Sequence, residues 1–211
     1  MDLLPAIQLL EKFKGVDLTA TLAQIEGSIE GLGINEIPDL LVANAVHQES
    51  FSAAGLLKEV SGQIDVMIHA LGILLCLPHI LEPGERVQSV SLGAGNTGKK
   101  FDLETSRRVA EFKFINWKGG PEAIRQNSLF KDFYGLAEHF THKSKHLYLL
   151  GTAIPLKFFQ GRRAIKSILS KDVKLYEQFR ERYPGCSVVR DYYLGKRELV
   201  QLEDMFPILC A

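Results

Sequence analysis

Residues Phe101 to Phe114, FDLETSRRVAEFKF, decide how the rest of the chain is read. Two runs of strand-forming residues flank the polar segment Glu104-Thr105-Ser106-Arg107, so the simplest folding of the stretch is a β-hairpin with a tight connection. Alternate residues of a strand share a face, which sends Phe101 and Leu103 to one side with Ala110, Phe112 and Phe114. Asp102, Glu111 and Lys113 go to the other. The two strands agree on this division only if the loop holds an even number of residues. With Thr105-Ser106 as the loop, Asp102 lies opposite Val109 and diagonal to Glu111. Diagonal neighbours sit roughly 7–8 Å apart, close enough for two carboxylates to share one cation.

An Asp followed on the next strand by Glu111-Phe112-Lys113 resembles the PD-(D/E)XK motif of the restriction-endonuclease-like nucleases, with Phe101 standing where the motif has Pro. The resemblance implies an α/β fold with a restriction-endonuclease-like core, a central mixed sheet flanked by helices. It implies Mg²⁺ or Mn²⁺ held by Asp102, Glu111 and the main-chain carbonyl of Phe112, all hard oxygen donors. A water activated at such a cation is the nucleophile, and Lys113 orients it or helps to deprotonate it, its amine pushed towards the neutral form by the cation. Families of this type commonly add an acidic residue from the helix before the first strand. Glu59 occupies that place here, and Glu49 does under a shifted helix register. Some exonuclease-like branches carry Gln-x-x-x-Tyr on the helix after the hairpin, and Gln126 followed by Phe130 matches that position. The alternative for the same residues is a solvated hairpin face bearing an exposed Glu-x-Lys pair.

The 211 residues, 46% of them hydrophobic, suffice for a substantial core. Cys76, Cys186 and Cys210 have neither CxxC spacing nor even number, which points away from a disulfide framework or a zinc site and fits a reducing, cytoplasmic setting. No signal-peptide pattern opens the chain, and the most apolar window, Ile64 to Leu81, is interrupted by Asp65, His69, Pro78 and His79, so no membrane span is expected. Net charge is zero, but residues 1–98 carry 4 Lys/Arg against 12 Asp/Glu while residues 99–166 carry 14 against 6. A basic block around two metal-ligand carboxylates is what a phosphodiester substrate needs. Lys99, Lys100, Lys118, Arg162, Arg163 and Lys166 are the candidate phosphate contacts. The alternative is that these charges are scattered and make no patch.

Residues 1–52 read as a helical extension, with helices over Leu3 to Lys14, Leu18 to Glu30 behind an Asp17 cap, and Pro38 to Gln48. It packs on the core, recognises substrate or makes a homodimer contact. Residues 53–211 are the nuclease-like domain. Ala53 to Leu77 reads as one helix, stopped by Pro78, whose stripe of Leu56, Leu57, Val60, Ile64, Met67, Ile68, Leu71, Leu74 and Leu75 lies against the sheet. Arg86 to Leu92 is a first strand. Gly93 to Lys100 matches G-x-x-x-x-G-K, but Lys100 stands where a phosphate-binding loop needs Ser or Thr and a strand follows, so it reads as a glycine-rich turn.

After the hairpin, Pro121 opens a helix to about His142 that buries Phe130, Phe133, Ala137 and Phe140 beside Gln126. His139, His142 and His146 lack a carboxylate partner at ligand spacing and are not read as a zinc cluster. His146 to Thr152 is a buried strand, Lys157 to Lys174 a basic helical segment, Val173 to Tyr183 a further helix, and Ser187 to Leu194 and Glu198 to Leu202 closing strands. The expected activity is divalent-metal-dependent phosphodiester hydrolysis, with DNA favoured over RNA as substrate. The alternative is a catalytically inactive module of the same fold that binds nucleic acid or protein.

Overall fold

A computed structural model of the chain describes residues 2–93, 98–114, 117 and 122–210. The chain divides into two compact units, Met1–Asp65 and Val66–Ala211. The division falls inside a helix, where the sequence placed it at residue 52.

The first unit is helical. It holds α1 (Leu3–Lys14), α2 (Leu18–Ile29), α3 (Ile37–Ala43) and the opening turns of α4 (Gln48–Ile80). Asp17 caps α2 by accepting a 2.8 Å hydrogen bond from the Ala20 amide, satisfying one of the donors that a helix start leaves free. Gly15, at φ 61°, makes the reversal from α1. Ala6 and Ala53 are buried, whereas Leu4, Val42 and Phe51 are exposed.

The second unit is α/β. Its sheet is mixed and five-stranded, in the order β1 (Val87–Val90), β2 (Leu103–Thr105), β3 (Arg108–Lys113), β4 (Ser144–Leu149) and β5 (Gln201–Asp204). The first three strands pair antiparallel and the last three parallel. Parallel pairing demands a crossover. Between β3 and β4 this contains α5 (Ala123–Glu138). Between β4 and β5 it contains α6 (Ala153–Phe159), α7 (Ile165–Ile168), α8 (Val173–Arg182) and α9 (Val189–Lys196). A short α10 (Phe206–Leu209) ends the fold.

Strand alternation divides the core in two. Val109, Leu147 and Leu149 join α5 to α9 on one face of the sheet through Phe130, Phe133, Phe159, Phe179 and Tyr192. Ala110, Phe112 and Tyr148 pack on the other against Ile73, Cys76 and Ile80 of α4. Gly72 lets that helix approach closely, since a Cβ there would lie 2.4 Å from the Phe114 ring. Burial pushes the Cys76 thiol up to about 11, which makes it an inert packing group.

The face of α4 on the sheet is Gly72, Ile73, Cys76 and Ile80, while Met67, Ile68, Leu71, Leu74 and Leu75 are exposed. Pro78 sits inside the last turn of α4, where few following amides depend on the bond it removes. Ser187 to Leu194 is not a strand: Val189–Lys196 is helix α9, and its Val189, Tyr192 and Tyr193 are buried at helical spacing. The last strand starts only at Gln201, after a 3₁₀ turn at Arg197–Leu199. Phe140 lies beyond α5 and is 92% exposed.

By length and composition α4 is sufficient to cross a bilayer, with a mean hydropathy of 1.8 over its most apolar window. Its buried Ile73, Cys76 and Ile80 nevertheless face protein rather than lipid.

Candidate active site

The hairpin is closed by Thr105. Its Oγ1 accepts hydrogen bonds from the Arg107 amide at 3.0 Å and the Arg108 amide at 2.9 Å, so the turn residues are Ser106 and Arg107. The observed pairs are Leu103 with Ala110 and Glu104 with Val109, a register two residues away from the expected one. A shift of two keeps every side chain on its face. Extended by one residue, it sets Asp102 across from Glu111 rather than diagonal to it. Phe101, which precedes the strand, turns instead to the α5 side of the core.

Asp102 is fixed from three directions. Its Oδ2 accepts from the Phe112 amide at 3.0 Å, and its Oδ1 lies 3.4 Å from His69 Nε2 on α4. The third contact is a hydrogen bond from Glu111. Burial alone raises the Asp102 carboxyl, but these three donors outweigh it and hold Asp102 ionised below its ordinary value. Glu111 goes the other way. Burial, then the charges of Asp132 and Asp102, push its carboxyl up to about 9, so at neutral pH it carries the proton that it donates to Asp102.

Lys113 reaches past Glu111 to α5, where Nζ lies 2.8 Å from Asp132 Oδ2. That carboxylate oxygen is shut off from solvent, so Lys113 is the charge it faces. Burial opposes the charge on Lys113, but Asp132, Glu111 and Asp102 outweigh it and keep the ammonium form. The neutral amine expected beside a cation is therefore not the form favoured by the protein's own charges. Asp132 is raised by burial against the pull of Lys113 and a hydrogen bond to Ser128.

Asp132 and His69 escaped the sequence reading. Asp132 shares a row on α5 with Arg125 and Ser128, at i, i+3 and i+7, beside the apolar row rather than in it. His69 precedes Ile73, Cys76 and Ile80 by four, seven and eleven residues, which is the buried face of α4. Gly72 was the available signal for that face.

Glu59 is exposed and belongs to the first unit, as does Glu49. Gln126 is on the first turn of α5, and its Oε1 is inaccessible to solvent and has no donor among the described residues. Phe112 offers Asp102 its amide. Lys99 Nζ bonds the Val90 carbonyl, and Lys100 Nζ lies 2.9 Å from His139 Nδ1. Arg162, Arg163 and Lys166 occupy the link from α6 into α7, not one continuous helix. Lys118 and residues 94–97 of the glycine-rich turn are outside the described residues. His146 pairs with Glu203 and Ser144, and His139 with Lys100, so the three histidines do not converge.

Much of the basic block is already neutralised. Arg107 pairs with Glu82, Arg108 with Glu85, Arg125 with Glu122, Lys131 with Asp172 and Lys143 with Glu104.

Among the described residues no three His, Cys, Asp or Glu side chains stand at metal-ligand geometry. The donor set fits a hard cation at the level of two carboxyls. Glu111 keeps its proton first through burial and then through the charges of Asp132 and Asp102, so a divalent ion binding there would have to displace that proton. Two adjoining carboxyls of this kind can take up a cation or a shared proton. No family model, curated protein or solved structure matches this chain.

Proposed function

We propose that the chain is a divalent-metal-dependent nuclease with a restriction-endonuclease-like core, acting on DNA in the cytoplasm. One observation carries the reading: Asp102, Glu111 and Lys113 adjoin one another on a hairpin whose second strand pairs in parallel with the strand after α5. The element order of helix, strand, hairpin, helix and parallel strand is the order that the motif's resemblance implies.

In this proposal Asp102 and Glu111 hold Mg²⁺ or Mn²⁺, which supplies charge neutralisation at the phosphate and an acidified water. Asp102, already ionised and anchored by the Phe112 amide, needs no rearrangement to serve. Glu111 must lose its proton. Lys113, an ammonium turned towards Asp132, places positive charge beside the scissile phosphate.

Incubation with supercoiled plasmid, linear duplex and RNA in Mg²⁺ or Mn²⁺ tests the proposal. Cleavage is expected with the metals and not with EDTA, and Asp102→Ala, Glu111→Ala and Lys113→Ala each lower it by about 10²-fold or more. Wild-type rates in all three variants refute the assignment.

The internal pairing of His69 with Asp102, Glu111 with Asp102 and Lys113 with Asp132 supports a second reading, an inactive module in which this group only stabilises the fold. In that case added Mn²⁺ leaves the melting temperature unchanged and no cleavage is seen.

A further inference from the structure

Lys113 has a second exposure. A cavity of about 50 Å³ opens beside it, with apolar walls from Trp117, Leu129, Leu149 and Pro155 and polar contributions from Lys113, Arg125 and Ser128. An engineered cavity of ~150 Å³ accommodates benzene. A space a third of that size has room for a tetrahedral oxyanion.

On this mainly apolar surface Lys113, Arg125 and Trp117 are side chains that carry hydrogen-bond donors. An ammonium has three N–H groups and a guanidinium five. Lys113 directs one towards Asp132, and Arg125 gives one to Glu122 Oε2 at 2.6 Å, so both cations keep donors to spare. The Trp117 indole N–H, a donor only, is inaccessible to solvent and has no acceptor among the described residues. Glu122 and Asp132 pin the two cations in place and offset their charge. The apolar walls strip away the water that would compete with an incoming anion.

We infer that this cavity binds a phosphate group, and that the group is the terminal phosphomonoester of a nucleic-acid strand. The strand source rests on the nuclease reading, because Lys113 lines the cavity and also adjoins Glu111. A strand whose end is seated there has its neighbouring phosphodiester beside Asp102 and Glu111. The anion site itself does not depend on that reading.

Trp117 is the only tryptophan in the chain, so intrinsic fluorescence reports on the cavity directly. Titration with sodium phosphate is expected to give a saturable change that sodium chloride of equal ionic strength does not. Arg125→Gln, at a half-exposed position, weakens the phosphate response by about tenfold or more. In a second arm, oligonucleotides phosphorylated at the 5′ or the 3′ end are compared with their hydroxyl twins. One phosphorylated form binds at least about fivefold tighter, and Arg125→Gln removes the preference. Identical responses to phosphate and chloride in the wild-type protein overturn the site. So does a phosphate response that Arg125→Gln leaves intact. A saturable phosphate response without preference for either phosphorylated end overturns the strand terminus as the source. Absence of metal-dependent cleavage alongside a retained end preference removes the nuclease reading alone.

Discussion

Glu111 folds as a protonated acid, and this has a measurable sign. Its folded-state value is raised to about 9, so between roughly pH 4.5 and pH 9 the folded chain holds a proton that the unfolded chain has lost. Stability therefore falls as pH rises through that window. Glu111→Gln, which copies the neutral carboxyl, is expected to raise stability at pH 8 by on the order of 1 kcal/mol and to flatten the dependence. Thermal unfolding between pH 5 and pH 9 in EDTA checks this, and a variant no more stable than wild type at pH 8 contradicts the proton assignment. Lys113 and Asp132 form the complementary case. Asp132→Asn leaves a largely buried ammonium with less compensation and is expected to cost about 1–3 kcal/mol. The Lys113→Met/Asp132→Asn double variant recovers part of that loss in a urea double-mutant cycle, because both members of the pair are then neutral.

At the scale of elements, the turn sets the site. Thr105 accepts two amides and donates its hydroxyl to Glu85 Oε1, which also accepts from Arg108 Nε at 2.7 Å, while Glu85 Oε2 accepts from one terminal Arg108 nitrogen at 2.7 Å. Burial raises the Glu85 carboxyl, but Arg108, the Glu82 amide and Thr105 outweigh it and bring it to about 2. This depressed value gives stability that is complete above the unfolded value near 4.5 and is lost as pH falls through about 2. Thr105→Val is expected to lose about 1–3 kcal/mol in urea unfolding and Glu85→Ala about 3–5, the larger figure because Arg108 is then buried without its partner. Such an anchor lies beyond local pattern. A period of two puts Asp102, Glu111 and Lys113 on one face whichever even loop closes the hairpin, so that part of the candidate site was legible in the residues alone. The loop itself was not, because Ser106-Arg107 is selected by Thr105 and by Glu85, twenty residues upstream. Helix rotation was hidden for a related reason. The long stripe of α4 from Met67 to Leu75 outweighs Gly72 in any count of apolar residues, yet the close contact at Phe114 belongs to Gly72, and His69 follows that face inward. Asp132 was masked by the stronger apolar row beside it on α5.

On the scale of the whole molecule, the charge map argues for a modest electrostatic grip. Residues 99–166 hold 14 cations, but Arg107, Arg108, Lys113, Arg125, Lys131 and Lys143 face carboxylates. Lys99, Lys100 and Lys145 are engaged by the Val90 carbonyl, His139 and the Ala137 carbonyl. Among the described residues this leaves Lys157, Arg162, Arg163 and Lys166 as the cations of the block with neither a carboxylate nor a hydrogen-bond acceptor in reach, all of them on α6, α7 or the link between them. Each phosphate neutralised contributes about −0.9 to the slope of log K against log salt on duplex DNA. Four free cations therefore give a slope near −4, whereas recruitment of all 14 in the block would give one about three times as steep. Replacing Arg162 and Arg163 together by Glu is expected to lower affinity and to flatten the slope by roughly 2. Fluorescence-anisotropy titrations of a labelled duplex between 50 and 200 mM KCl (about the range over which such slopes are read) decide the matter. A wild-type slope near zero removes this surface from nucleic-acid binding. A slope far steeper than −4 means that the paired cations release their carboxylates to the phosphates, and then the ion pairs at Arg107, Lys131 and Lys143 belong to the free protein only.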